Sequence, residues 1–153
     1  MTAAVDDRQR AVRVSPRRLA RAAERALTAL GRPAGGVDIA IVDDAEIRTL
    51  NRSFRGVARR TDVLAFPLEM AAAAGGVVGQ VVISAPTAER QARRVGVPTA
   101  LELDLLVTHG ILHLVGYDDR DPAEAALMHA RERDILSDGG PLPGRLWRGL
   151  LHR

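Results

Sequence analysis

Two histidines stand four residues apart in HGILHLVGYDD, residues 109–119. On a helix that spacing puts His109 and His113 on one face, aimed at a common point. A single histidine in an apolar helix is usually a core residue with one hydrogen bond. Two on one face are different, because burying two polar rings costs free energy unless both are satisfied. A shared metal ion satisfies both. Gly116 is a natural residue for ending the helix and letting the chain fold back. Asp119, six residues beyond His113, is close enough to return over the helix end. Two helix histidines and one ligand from the following turn, with one position open, form the arrangement of a catalytic zinc site. The zinc peptidase motif HExxH carries its general base directly after the first histidine. Here that residue is Gly110, which disfavours a peptidase.

The element that must position the pair is LELDLLVTHGILHLVG (101–116), apolar on nearly every side, so it belongs in the middle of a fold. Thr99 with Glu102 predicts a capping box at its start. Around it, Ser15-Pro16 and Gly31 bracket a helix of about 16–30 that carries Arg17, Arg18, Arg21 and Arg25. Asp43 with Glu46 opens a helix through about Ser53. PTAERQARRVG (86–96) reads as a short basic helix ended by Gly96, and Asp121-Pro122 with Glu124 starts another that ends near Ser137. VDIAIV (37–42), TDVLAFP (61–67) and VVGQVVIS (77–84) read as strands, with VRV (12–14) as a candidate fourth. EMAAAAGG (69–76) reads as a loop. These elements predict an α+β fold, a mixed four-stranded sheet packed with helices. Residues 1–138 are expected to form one domain. Residues 139–153 should form a short basic amphipathic tail, most simply read as covering the domain's own core edge. His129, flanked by Arg131, Glu132 and Arg133, is expected to be exposed, and neither it nor His152 is assigned to the site.

A chain of 153 residues with 46% hydrophobic content suits one folded domain with a real core. No apolar run reaches the length that spans a bilayer. The segment MTAAVDDRQRAVRV has no apolar stretch to serve as a signal peptide, so a cytoplasmic location is the expectation. There is no cysteine, which leaves histidine and carboxylate as the metal ligands. All 22 basic residues are arginine, as a GC-rich genome favours. Residues 1–100 hold 16 arginines against 10 acids, and residues 101–153 hold 6 against 9. A basic front half points to a polyanionic partner for one face.

HGILHLVGYDD resembles the signature HGxLHLxGYDH of the YbeY family, the bacterial rRNA-maturation metalloendoribonucleases. The likeness continues in LNRSFRGVARRTDVLAFP (50–67), in VGQVVIS (78–84), in the QAR of 91–93, and in Met128 and Glu132. It covers about residues 37–136. The resemblance implies a zincin-like fold around one metal held by His109, His113 and Asp119. It also implies that Arg55 engages the RNA phosphate, and that the substrate is single-stranded RNA, with roles in 16S rRNA 3′-end maturation and ribosome quality control. The implied partners are the small ribosomal subunit and the assembly GTPase Era. DNA and membranes are not expected as partners.

Three polar positions depart from the family pattern. Asp119 replaces the third histidine, Gln80 replaces the aspartate of a Gly-Asp pair, and Ala65 replaces a serine. Aspartate is a legitimate zinc ligand, but its charge should weaken the activation of water, and its harder oxygen makes the site, for which Zn2+ is the first expectation, more tolerant of Mn2+ or Fe2+. If the site is active, Arg55 stabilises charge on the phosphate, and Arg52, Arg59 and Arg60 extend a track along the RNA backbone. With so few aromatic side chains, backbone contacts should outweigh base readout. Tyr117 and Asp118 flank the turn as candidate proton donors or ligand-supporting groups. The nucleophile is either water or the RNA 2′-OH. The rival expectation is a ribosome-assembly factor that keeps the fold and RNA surface with weakened cleavage.

Overall fold

The computed structural model describes residues 3–32, 35–53, 62–67 and 77–151. Among these residues, four strands and six α-helices follow the order β1 (Ala3–Asp7), α1 (Pro16–Ala29), β2 (Gly36–Val42), α2 (Asp44–Ser53), β3 (Val63–Pro67), β4 (Val77–Ser84), α3 (Ala85–Val95), α4 (Thr99–Leu114), α5 (Pro122–Leu136) and α6 (Arg148–Leu151). The strands make one mixed sheet in the order β1-β2-β4-β3, with β3 antiparallel to β4 and the other pairs parallel. This is the expected α+β architecture.

Strand alternation sorts the sheet's two faces. Val37, Ile39 and Ile41 of β2, Val81 and Ile83 of β4 and Val63 of β3 join the main core with α1, α3, α4 and α5. Ala40, Val42, Leu64 and Val82 face the other way and pack with Ile47 of α2. Helix α4 is buried from Glu102 through Leu112 on all sides, as its unbroken apolar composition requires. Its close seat on the sheet depends on two glycines. A Cβ on Gly110 would meet Val81 Cγ1 at 2.7 Å, and one on Gly79 would meet the Phe66 carbonyl at 2.6 Å and Leu114 Cδ2 at 2.7 Å. Across the helix layer, Arg18 of α1 makes a forked contact to Asp104 of α4, at 3.1 Å from Nε and 2.8 Å from Nη2 to Oδ2. No single helix among the described residues is long and apolar enough to cross a membrane.

Two expectations are corrected. VRV (12–14) is not a strand; the fourth strand is AAVDD, paired with β2 from Ala3↔Val37 to Asp7↔Ile41. The Val12 backbone is served instead by the Gln9 side chain, whose Nε2 donates to the Val12 carbonyl (2.8 Å) and whose Oε1 accepts from the Val12 N–H (2.9 Å). An amide side chain thus replaces a neighbouring strand. At the start of α4 the N-cap is Pro98, with no side-chain cap, and Thr99 is already helical. The other caps are as expected: Ser15, Asp43 and Asp121 accept the N–H three residues on, and Gly96 closes α3 at φ +74°.

Candidate metal centre

The last turns of α4 carry His109 and His113, and the chain then reverses sharply. The Tyr117 N–H reaches back to the Leu112 carbonyl (3.0 Å) and the Gly116 N–H to the His113 carbonyl (3.1 Å). With Gly116 at φ +107°, this is the paired-bond helix ending that an α-helix favours when a glycine follows it. The reversal has two consequences. It aims the Tyr117 carbonyl back at the helix, and it carries Asp119 over the two histidines. Asp118 stabilises the turn: its Oδ1 accepts the Asp119 N–H at 2.8 Å and its Oδ2 pairs with Arg120 at 2.6 Å.

The acceptors around the two rings favour one tautomer for each histidine. His109 Nδ1 lies 2.6 Å from Glu132 Oε2. Burial would raise the Glu132 carboxyl, but hydrogen bonds from His109 and His129 hold it well below the usual range, at about 2. It is therefore a carboxylate, which can only accept, so the His109 proton sits on Nδ1. His113 Nδ1 lies 3.1 Å from the Tyr117 carbonyl, which also only accepts. Nε2 of each ring is left facing the other, and the two Nε2 atoms are 3.1 Å apart. A divalent cation there would accept a lone pair from Nε2 of each neutral imidazole.

Asp119 completes the group, with Oδ2 at 3.7 Å from His109 Nε2 and Oδ1 at 3.8 Å from His113 Nε2. One donor atom from each residue lies within 4.8 Å of the others. Tetrahedral coordination at 2.0–2.1 Å would put ligand atoms roughly 3.3–3.4 Å apart, close to these separations. Both imidazoles are also held through their second nitrogen by a carboxylate or a carbonyl, as ligating histidines characteristically are. The donor set therefore fits a divalent ion. His109 is fully buried and Asp119 nearly so, while 14% of the His113 side chain is exposed, so the site opens on the His113 side.

The chain matches the family Endoribonuclease YbeY over residues 4–140. The chain belongs to that family. Among its relatives, Endoribonuclease YbeY of Anaeromyxobacter dehalogenans is 44% identical over 133 residues, covering 87% of this chain and 69% of the relative. That of Geobacter sulfurreducens is 38% identical over 148 residues, covering 92% and 99%. A solution structure of TM1509 from Thermotoga maritima superposes with a TM-score of 0.60 at 25% identity, over 98% of this chain and 92% of that one. The sequence resemblance to the YbeY family is thereby borne out. Gly110, where a zinc peptidase has its glutamate, packs against Val81 with no room for a larger side chain.

Of the residues singled out in the sequence, His109, His113 and Asp119 come together, and Tyr117 and Asp118 build the turn between them. Tyr117 contributes its carbonyl to His113, and its side chain packs against the main core. Arg52 is exposed in the last turn of α2. Arg55, Arg59 and Arg60 lie outside the described residues. Gln80 sits in β4 opposite Phe66, and Ala65 in β3 opposite Val81. The expectation for His129 is corrected: it is 7% exposed, with Nδ1 at 2.7 Å from Glu132 Oε1. The sequence reading missed both its burial and the bridging role of Glu132, misled by the flanking arginines. The signal was present in the helical spacing, since Glu132 follows Met128 by four and precedes Ile135 and Leu136 by three and four, all on the buried face.

Proposed function

We propose that this chain is a metal-dependent endoribonuclease that cleaves single-stranded RNA, with 16S rRNA 3′-end maturation as its task. The observation that carries the reading is the pair of Nε2 atoms 3.1 Å apart beneath the Asp119 carboxylate, in a chain of the YbeY family. Zn2+ is the first candidate ion, and the carboxylate ligand also suits Mn2+ or Fe2+. Bound there, the ion would supply Lewis acidity toward a phosphoryl oxygen and toward water. Glu132 and the Tyr117 carbonyl hold the two rings in the ligating tautomer. Arg55 is assigned to the phosphate under attack, where a forked guanidinium matches two oxygens. Arg52, Arg59 and Arg60 grip the flanking backbone, a contact that depends on charge and not on base identity. Residues 1–138 act as one catalytic domain in the cytoplasm. The small ribosomal subunit and the GTPase Era are the proposed partners, with ribosome quality control as the wider role.

One feature favours a second reading. Asp119 stands where the family signature has histidine, and its charge offsets part of the ion's own. On that reading the protein is a ribosome-assembly factor that binds RNA and cleaves it poorly. Cleavage of a single-stranded RNA, assayed with Zn2+, Mn2+ and Fe2+ in turn, separates the two. The endoribonuclease reading expects metal-dependent cleavage that His109→Ala abolishes. No cleavage with any of the three ions, or equal cleavage by the variant, would overturn it.

A further inference from the structure

The buried carboxylate behind His109 is also held by the C-terminal segment. Glu132 is fully buried and accepts three N–H groups: His109 Nδ1 on Oε2 at 2.6 Å, and His129 Nδ1 and Trp147 Nε1 on Oε1 at 2.7 and 3.0 Å. Trp147 lies in a 3-10 turn, Gly144–Trp147, that precedes α6, beyond the stretch matched to the family, which ends at residue 140. The segment is firmly docked. Leu146, Trp147 and Leu150 are buried, and Arg145 donates twice to the Gly96 carbonyl at the end of α3. Gly149 lies so close to α3 that a Cβ there would meet Gln91 Nε2 at 2.2 Å. The Arg133 guanidinium, 4.6 Å from the Trp147 ring centre, covers one indole face. The indole therefore has one fixed place, with its only N–H aimed at Glu132.

We infer that Trp147 positions the ligand His109 through Glu132, so that its indole N–H sets how tightly the site holds a divalent ion. The inference rests on the metal reading of the site. A carboxylate can rotate about its final bond, and His109 keeps its ligating tautomer only while Oε2 faces Nδ1. The two donors on Oε1 pin that rotation from the far side. Partners that orient a ligating histidine are typically worth about 10–100-fold in metal affinity. Trp147 acts one step further out, so a smaller effect, about three- to tenfold, is expected for loss of its N–H.

The test is zinc affinity of the full chain, measured by competition with a chromophoric chelator for wild type, Trp147→Phe and Leu146→Ala. Trp147→Phe keeps an aromatic ring and removes the donor. Leu146→Ala loosens the same segment and removes no hydrogen bond. A three- to tenfold weaker affinity in Trp147→Phe, with Leu146→Ala near wild type, supports the inference. An unchanged affinity in Trp147→Phe overturns it, as do equal losses in both variants, which would reduce the segment to packing. A second measurement needs no variant. The chain has one tryptophan, so its indole N–H gives one resonance, which should move along the same curve as zinc binding. A stationary resonance overturns the inference. Wild type that binds neither zinc, manganese nor iron(II) is a distinct result: it refutes the metal reading itself, and the inference falls with it.

Discussion

Replacing Glu132 with glutamine changes no shape and removes one charge, yet the surroundings leave no good orientation for the amide. Three N–H groups converge on the carboxylate, from His109, His129 and Trp147. If the amide oxygen takes the Oε1 position, it satisfies Trp147 and His129, and the NH2 faces His109 Nδ1. His109 must then move its proton to Nε2, which removes the lone pair from the ion site. If the oxygen takes the Oε2 position, His109 is satisfied, but the NH2 faces the indole N–H, which has no alternative tautomer. Either way a buried donor loses its acceptor or a ligand is lost. An unsatisfied buried donor costs about 1–3 kcal/mol, a fall in Tm of roughly 3–10 °C for a chain of this size. Metal affinity should fall by about 10–100-fold. Thermal unfolding and chelator competition on the same preparation read both effects. Glu132→Gln with wild-type melting and wild-type affinity would refute the tautomer assignment on which the site is built.

Asp119→His should raise cleavage of single-stranded RNA near neutral pH and move the low-pH limb of the rate profile down, because a neutral third ligand offsets less of the ion's charge. A drop in rate with zinc, manganese and iron(II) alike would show that the carboxylate is not what limits the site. Arg55→Ala should lose cleavage more than binding, and RNA binding by wild type should fall steeply with salt; equal losses would make Arg55 one phosphate contact among several. Asp44, at the start of α2, provides the pH test of the fold. Burial would raise its pKa, but hydrogen bonds from Ser84, Thr87 and Arg90 lower it from 3.8 to about 2. A depressed carboxyl stabilises the fold fully above the unfolded value and loses that contribution as pH falls through the folded one. Asp44→Asn should therefore melt below wild type at pH 6, by about 1 kcal/mol after discounting for partial exposure. That gap should close between pH 4 and pH 2, and a pH-independent gap would contradict the assignment.

The sequence was most informative where local chemistry decides the structure. Ser15, Asp43 and Asp121 cap helices because their side-chain oxygens serve backbone N–H groups three residues on, a purely local bond. The His109–His113 pair and the Gly116 reversal are local as well, so the grouping of His109, His113 and Asp119 could be read from eleven residues. Tertiary pairing was less visible. AAVDD has little strand character of its own and is a strand because the β2 edge offers it five partners. VRV has better β propensity, but the Gln9 side chain takes the backbone bonds of Val12. Glu132 and Trp147 lie 23 and 38 positions from His109, and no spacing rule joins them. Among charged neighbours, His129 looked like a surface residue; the spacing of Met128, Glu132, Ile135 and Leu136 places Glu132 on the buried face, and the carboxylate takes His129 inward with it.

Metal content after dialysis tests the central claim most directly. Wild type and His113→Ala, each stripped with chelator, dialysed against zinc and passed through a desalting column, are compared by elemental analysis. Because each site draws on His109, His113 and Asp119 together, wild type should retain one ion per chain and His113→Ala almost none. Equal zinc in the two proteins, or none in wild type, would contradict it.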